Sequence, residues 1–261
     1  MAGTKDIKPG ERRYQDYLRQ RGVRTANNYT RMLARLRNAE VERVVKLLAE
    51  RYDPRQWALA APVYINEIGY LPEWYRGLIV AAGLPQVGPT ARALVGSADA
   101  VSGYAGYFEE RLAAYAAERA GAEISSVSGT LKETVQQVIG EAVARDVNIG
   151  VEQLARTVRR VMPEKNAWQA RRIAQTEMMN ALAEAGDETA QLLGVGYVKT
   201  WCISGLGNTR ETHAEMDGVT VEADGYFELR DCVMRYPHDT RSKPPASQIV
   251  NCACSCIRRP Q

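Results

Sequence analysis

Residues 170–177 read ARRIAQTE, and residues 197–203 read YVKTWCI. Small and apolar side chains recur at helical intervals in the first stretch, whereas the second is rich in β-branched and aromatic residues. The period of the apolar pattern changes from 3.6 to 2 after Gly194. We therefore predict a mainly α protein, in which a helical N-terminal region is followed by an α+β domain. That domain is expected to have a helical part and a small, loop-rich β unit.

The composition is ordinary for a globular protein and shows no targeting segment. The 261 residues are 45% hydrophobic and 25% charged, with a net charge of +3. So small a charge does not mark the whole chain as a nucleic-acid binder, and any such contact must come from local patches. No apolar run approaches the roughly 20 residues that span a bilayer, and residues 1–30 lack the apolar core of a signal peptide. We expect no membrane partner.

The first half of the chain is predicted to contain several separate helices. Glycine and proline interrupt the apolar periodicity, so we expect breaks at Gly22, at residues 83–85 and at residues 88–89. The longest periodic stripe follows the last break and consists of Leu94, Val101, Phe108, Leu112 and Tyr115. Both a core-facing bundle helix and an oligomerising helix fit this stripe. The Ser- and Gly-rich segment 121–129 is the predicted linker.

Shorter helices and a β unit are predicted after that linker. Three helices are expected before Gly194, beginning near Thr130, Val151 and Asn166. Residues 197–203 are the predicted first strand. Residues 219–221 and 226–229 are predicted to form a hairpin across residues 223–225.

The potential metal ligands are concentrated after residue 200. They comprise all five cysteines and both histidines: Cys202, Cys232, Cys252, Cys254, Cys256, His213 and His238. In a reducing compartment this clustering indicates a metal site or free thiols before disulfides. Cys252, Cys254 and Cys256 alternate, so an extended strand would direct all three to one face. Two thiolates and an imidazole would supply most of a tetrahedral zinc shell, which a water or a carboxylate could complete. Thiols and a histidine that simply pack and hydrogen-bond in the core are the alternative.

No catalytic residue is assigned from the sequence. A Cys–His pair would activate a thiolate, but no spacing shows that His213 touches a particular cysteine, and no Gly-rich oxyanion elbow lies nearby. A metal-dependent nuclease needs a cluster of carboxylates or imidazoles around a hydrated cation, and Asp217, Asp239 and the two histidines are scattered. We therefore expect no enzymatic activity.

Five short motifs in the last third of the chain occur in an order that resembles one protein family. They are the helix signature 170–177, the strand around Trp201, TRETH at 209–213, YPHD at 236–239 and NCAC at 251–254. Together they resemble the Mu F-like minor head proteins of tailed bacteriophages, also called the phage head morphogenesis family. The resemblance covers roughly residues 130–261. Ala253 departs from the pattern, which has a basic residue between the two cysteines.

The resemblance implies a minor capsid protein that acts in head assembly and in DNA packaging or delivery. Residues 126–261 would be the head morphogenesis domain, with helices to about residue 194 and a β unit at 195–261. Residues 1–125 would form a helical region that attaches to the portal or capsid. Some relatives join this domain to toxin enzymes, and we expect no such appended domain here.

The same resemblance implies partners and a location. The expected partners are the phage portal protein, the major capsid protein or both, with double-stranded DNA as a further candidate. The protein would be made in the host cytoplasm and end in the virion, inside the capsid near the portal vertex. A DNA-binding accessory protein inside the head and a metal-dependent hydrolase are the alternatives.

The resemblance also selects metal ligands. His213, Cys252 and Cys254 fall on its motifs, so zinc is the candidate cofactor and these are its candidate ligands. The other three cysteines fall outside the motifs. His238 stands at a turn position where the family pattern leads us to expect glycine, and it is not assigned as a ligand.

Two further sets of charged residues are singled out. Glu177 and Arg210 each belong to a matched motif, and we hypothesise that they pair and join the helix to the β unit, with an exposed Glu177 as the alternative. A basic set is a candidate contact for DNA phosphates or a partner, or a solvated helix face: Arg156, Arg159, Arg160, Arg171 and Arg172.

Overall fold

Most of the described chain is α-helical in the computed structural model. Residues 7–66, 69, 71–207 and 209–261 are described, with the backbone alone at 120–128. The helices are α1 (Pro9–Arg51), α2 (Trp57–Tyr64), α3 (Leu71–Val95), α4 (Ala105–Arg145), α5 (Val151–Leu193), α6 (Glu211–Ala214) and α7 (Ala246–Ile249). The strands are β1 (Tyr197–Cys202), β2 (Thr220–Glu222), β3 (Phe227–Glu228), β4 (Val233–Met234) and β5 (Ser255–Pro260). The prediction of a mainly α protein with a small C-terminal sheet region is confirmed.

The chain divides into two compact units, each built from separate segments. Unit 1 consists of Met1–Ala26, Arg76–Tyr115 and Ala174–Gln261, and unit 2 consists of Asn27–Tyr75 and Ala116–Ile173. The helices α1, α3, α4 and α5 each supply residues to both units. Neither unit ends at residue 125, and the functional division of the chain at that point stays a prediction.

Unit 2 has an apolar core made by helical side chains. Trp57 is fully buried in it, and its indole N–H donates to the carbonyl oxygen of Tyr52 at 3.1 Å. The core includes Val44, Leu48, Ile65, Leu131, Val135, Ile139, Leu154 and Val158. Burying such aliphatic and aromatic surface is the main stabilising contribution in a helical unit of this kind.

Several helix breaks predicted at glycine or proline are wrong. Helix α1 continues through Gly22, and α3 continues through residues 83–89. The two helices expected to begin near Val151 and Asn166 are one continuous helix, α5. The predicted linker 121–129 lies within α4. Asn166 is not a helix cap, because it is buried within α5 and donates to Asn38 Oδ1 at 2.7 Å.

Close helix packing explains why two of these glycines do not end a helix. A Cβ atom on Gly22 would lie 2.5 Å from Met178 Sδ, and one on Gly83 would lie 2.9 Å from the Leu112 methyl groups. Glycine costs about 1 kcal/mol relative to alanine inside a helix. Here the absence of a side chain avoids a clash between neighbouring helices of unit 1, so close packing outweighs the low helix propensity of glycine.

The apolar stripe from Leu94 to Tyr115 does not form one helix. Helix α3 ends before Gly96, whose φ of 77° is left-handed, and a 3-10 turn at Asp99–Tyr104 leads into α4. All five residues of the stripe are nevertheless buried. They therefore pack inside the protein, as the core-facing interpretation requires.

Unit 1 contains the antiparallel sheet, with strand order β2-β1-β5. Trp201 of β1 faces Cys256 of β5 in the register, and Thr200 of β1 faces Thr220 of β2. The predicted hairpin between residues 219–221 and 226–229 is wrong, because β3 pairs with β4 instead. The core beside the sheet includes Trp201, Phe227, Leu229, Met234, Ile249, Cys252 and Cys254.

Helix α3 has the length and apolar composition of a membrane-crossing helix among the described segments. Within its most apolar window, 44% of the residues are buried inside the protein, and the core helices of soluble proteins pass the same test. The expectation of no membrane partner stays a prediction.

Candidate metal centre

Motifs that are distant in sequence meet beside α5 in unit 1. The backbone N–H of Asn251, the first residue of NCAC, donates to Thr176 Oγ1 at 3.2 Å. The Tyr236 hydroxyl of YPHD donates to the buried Glu184 carboxylate at 2.9 Å. Arg210 of TRETH donates to the carbonyl oxygen of Val250, the residue before NCAC. The first two bonds hold loops of the β unit against the helix, and the third joins two of these loops.

The YPHD segment forms a turn that its own aspartate stabilises. The N–H of Asp239 donates to the Tyr236 carbonyl oxygen at 3.0 Å, and the Asp239 carboxylate accepts from the backbone N–H groups of Arg235 and Arg241 at 2.9 and 3.0 Å. Such side-chain acceptance is what makes aspartate favourable in turns. His238 has a φ of 71°, in the left-handed region that favours glycine.

His213, Cys252 and Cys254 form a compact, buried group. His213 Nδ1 lies 3.4 Å from Cys252 Sγ and 3.5 Å from Cys254 Sγ. The three ligand atoms lie within 4.8 Å of one another, and the three residues are 1%, 6% and 3% exposed. The group could hold a metal ion.

The separation of these atoms suits a tetrahedral ion. With Zn–S bonds of about 2.3 Å and Zn–N bonds of about 2.0 Å, the N···S edge of a tetrahedron is about 3.5 Å. The observed separations of 3.4 and 3.5 Å match that edge. The two N···S separations therefore suit a small tetrahedral ion.

A hydrogen-bonded chain fixes the imidazole of His213. Gln248 Nε2 donates to both oxygens of Asp231, at 2.8 and 3.0 Å, so its Oε1 faces the imidazole. That oxygen lies 2.8 Å from His213 Nε2 and accepts its N–H. Nδ1 then carries the lone pair that points at the two sulfurs, which is the arrangement expected for a metal-binding histidine.

The two thiols of the group differ in acidity. The bond with Cys254, aided by nearby histidines, holds the pKa of Cys252 well below its usual range. The same bond and burial raise the pKa of Cys254, because a second buried thiolate beside the first is unfavourable. A divalent cation would remove this conflict by stabilising both thiolates.

A cleft of about 340 Å³ gives access to the group. All three potential ligands line it, together with side chains from α1, α5 and the loop after β1. Arg19 and Arg210 contribute cationic groups to its wall, and no carboxylate lies among its lining residues in the described part of the chain. The cleft is an entry path for an ion.

The remaining cysteines lie elsewhere. The expectation that Cys256 shares one face with Cys252 and Cys254 is wrong, because β5 begins at Ser255 and the two preceding cysteines lie in the loop before it. Asn251, with a φ of 58°, turns the backbone there. Burial raises the pKa of Cys202 to about 11, so that thiol stays protonated at neutral pH.

The charged residues singled out from sequence lie on or near α5 and α6. Glu177 is buried and accepts from Asn180 Nδ2 at 3.1 Å, while Arg210 donates to Val250. The Glu177–Arg210 pair stays a prediction. The whole basic set is exposed on α5, where Arg159 pairs with Glu42 at 2.7 Å: Arg156, Arg159, Arg160, Arg171 and Arg172.

Comparison with known proteins gives one partial similarity of note. The chain is 37% identical over 97 residues to the NAD(+)–arginine ADP-ribosyltransferase EFV of Enterococcus faecalis (strain ATCC 700802 / V583). The matched part covers 36% of this chain and 19% of that protein. No model of a known protein family matches. No solved structure matches either.

This similarity corrects one expectation from the sequence. We expected no enzymatic activity, but the matched relative is named as an enzyme, and the match points to possible enzymatic activity in this chain. The match spans about a fifth of that relative's length.

Sequence reasoning missed the side chains that orient the candidate ligands. Gln248 and Asp231 carry no motif, and their role depends on a loop-to-helix contact that spacing does not reveal. Asn180 was missed for the same reason. The sequence does show that Trp168 is close to Arg171 and Arg172. In the structure, Trp168 is 60% exposed and the Arg172 guanidinium lies 5.5 Å from its ring centre.

Proposed function

We propose that this chain is a minor capsid protein of a tailed bacteriophage. It would bind the portal or the inner shell and act in head assembly and in DNA packaging or delivery. One observation carries the proposal: the matched motifs meet in the fold. The NCAC loop bonds to the helix signature through Asn251 and Thr176, 75 residues apart, and its two cysteines contact His213 of TRETH. Residues that cooperate in one structure have a physical reason to occur together, which supports the resemblance to the phage head morphogenesis family.

We also propose that the ion held by His213, Cys252 and Cys254 is Zn²⁺. Mixed sulfur and nitrogen ligands at tetrahedral separations are characteristic of zinc. The β unit is small and rich in loops, and such units often need a metal or disulfide to stabilise them. When bound, the ion would link the NCAC loop to α6 and supply folding free energy.

A preparation of phage particles tests the main proposal. The protein should be detected by mass spectrometry in purified virions and procapsids at low copy number, and it should co-purify with the portal protein from filled and empty heads. Free capsid protein from the same lysate, without portal, is the control. Absence from both virions and procapsids would contradict the proposal.

The relative's name suggests a second candidate function, transfer of ADP-ribose from NAD⁺ to arginine. Incubation of the purified chain with labelled NAD⁺ and an arginine-containing acceptor tests it directly. Incorporation of label above that of a heat-inactivated sample would support this activity, and it would be compatible with a place in the virion. Hydrolysis of DNA that chelators abolish would instead support the metal-dependent hydrolase.

A further inference from the structure

A second histidine is buried where the YPHD turn packs against α5. His238, in the YPHD turn, is 2% exposed. Its Nδ1 lies 3.2 Å from Asn180 Oδ1, and its Nε2 is buried with no hydrogen-bond partner among the residues that the structure describes. A buried nitrogen without a hydrogen-bond partner is unfavourable, so such an atom calls for an explanation.

The hydrogen bonds around His238 decide which nitrogen carries its proton. Asn180 Nδ2 donates to Glu177 Oε2 at 3.1 Å, which leaves Asn180 Oδ1 to face the imidazole. A carbonyl oxygen only accepts, so His238 Nδ1 is the protonated nitrogen. In the neutral imidazole Nε2 then holds a free lone pair.

That arrangement repeats the one at the other histidine. Asp231 and Gln248 orient His213, and Glu177 and Asn180 orient His238, each through a carboxylate, a side-chain amide and an imidazole. In both hydrogen-bond series, the imidazole nitrogen that faces away from the amide is the unprotonated one. Metal-binding histidines are held in this way by their outer partners.

The YPHD turn and the NCAC loop are attached to α5 about one helical turn apart. His238 Nδ1 bonds to Asn180 Oδ1, and the N–H of Asn251 bonds to Thr176 Oγ1, four residues earlier on the helix. Four residues rise about 6 Å along an α-helix, so the turn that carries His238 lies next to the loop that carries Cys252.

We propose that His238 Nε2 is the fourth ligand of the metal held by His213, Cys252 and Cys254. The centre would then be a closed tetrahedral site with two sulfur and two nitrogen ligands. This inference rests on the zinc of the proposed function. His238 stands outside the group whose atoms lie within 4.8 Å of one another, so the imidazole moves toward the other three when the ion binds. The role of Glu177 in this arrangement is to position Asn180.

The left-handed backbone of His238 makes a sharp experiment available. Glycine is favoured at a φ of 71°, so His238→Gly removes the imidazole without backbone strain. If the imidazole is a ligand, zinc affinity in competition with a chelating dye should fall about a hundredfold or more, since even the loss of an outer partner costs about 10–100-fold. Lys243→Gly is the matched control, because Lys243 is exposed with a φ of 51°.

Cobalt spectroscopy reports the ligand set independently of affinity. The Co²⁺ form of the full chain should show a tetrahedral visible spectrum, which His238→Gly should alter and added imidazole should restore. His238→Asn, which tolerates the left-handed conformation, serves as a second variant. Unchanged zinc affinity and an unchanged cobalt spectrum in His238→Gly would overturn the proposal while leaving a three-ligand zinc site intact. If the unmodified chain binds no metal, both this inference and the zinc site fail, whereas the place of the protein in the virion is tested separately.

Discussion

Cys252 illustrates at the residue scale how an ion can decide the stability of a small unit. Its thiol is buried and contacts His213. Its pKa is lowered, so the thiolate is favoured over the thiol although the group lies in an apolar core. A buried anion without a cation is strongly unfavourable. We therefore expect Cys252→Ser to lose bound zinc and to lower the melting temperature by roughly 10 °C, as the loss of a few kcal/mol does in a chain of this size.

Metal analysis and thermal unfolding of protein purified without chelators check this expectation. Cys232→Ser is the control, since Cys232 is partly exposed and outside the metal group. It should keep about one zinc per chain. Equal metal content in both variants would leave packing as the role of Cys252.

Glu184 provides a pH-dependent test. Burial is the main cause that raises the pKa of this carboxyl above 4.5, although Arg241 and Tyr236 act in the opposite direction. A raised folded-state pKa stabilises the fold below the unfolded value, and that contribution is lost as the pH rises through the folded-state pKa. The stability of the native chain relative to Glu184→Gln should therefore decline as the pH rises from about 4.5.

Denaturant unfolding between pH 4 and pH 8 measures this difference. The other titrating groups are common to both proteins and cancel. Glu164→Gln, an exposed glutamate on the same helix α5, controls for the loss of one carboxylate. A difference between Glu184→Gln and the native chain that stays constant across this range would show that Glu184 does not contribute in this way.

At the element scale, two helical glycines should respond oppositely to the same substitution. A Cβ atom on Gly83 of α3 would lie against Leu112 and 3.2 Å from the Ala181 carbonyl oxygen, whereas one on Gly140 of α4 would meet nothing within 4 Å. Gly83→Ala should destabilise by about 1–3 kcal/mol through overpacking. Gly140→Ala should stabilise by about 0.5–1 kcal/mol through helix preference. Urea unfolding measures both, and a stabilising Gly83→Ala would contradict the close packing.

The sequence predicted which regions are helical, but it did not predict where the individual helices begin and end. The apolar period identified the helical region and the strand at Tyr197–Cys202, and Gly194 ends α5 with a φ of 61° as the change of period indicates. Gly22 misled because its local cost is small beside the close packing against Met178. That packing involves residues more than 100 positions away, which no local pattern contains.

The candidate metal site was also predictable only in part from the sequence. His213, Cys252 and Cys254 were selected by motif, and the structure places them together. The partners that orient them were not readable, because Asp231 meets Gln248 only after the loops have folded. The glycine position in the motif argued against His238 as a ligand, yet the turn places its buried imidazole against Asn180 of α5, one helical turn from the residue that bonds to the NCAC loop.

At the scale of the whole molecule, the exposed face of α5 in unit 2 is the candidate DNA contact. Arg156 and Arg171 lie about 22 Å apart along the helix at a rise of 1.5 Å per residue. No ion pair engages Arg156, Arg160 or Arg171 among the described residues. Replacing these three arginines with Gln should weaken double-stranded DNA binding and reduce the slope of log affinity against log salt by roughly two to three.

Titration of labelled DNA at several salt concentrations checks this expectation. A variant with Gln at three other exposed arginines has the same net charge and is the control: Arg13, Arg51 and Arg92. Equal losses in the two variants would indicate attraction by net charge alone. No measurable DNA binding by the native chain would remove DNA as a direct partner.

The order of the segments of the two units along the sequence determines which unit is completely translated first. Both segments of unit 2 have been translated once Ile173 is added, whereas Met1–Ala26 of unit 1 must wait for Ala174–Gln261. Those 88 residues take on the order of ten seconds at about 5–20 residues per second. On the ribosome, unit 2 can therefore collapse early, while the first segment of unit 1 stays exposed to chaperones until the cysteine-bearing segment 202–256 emerges.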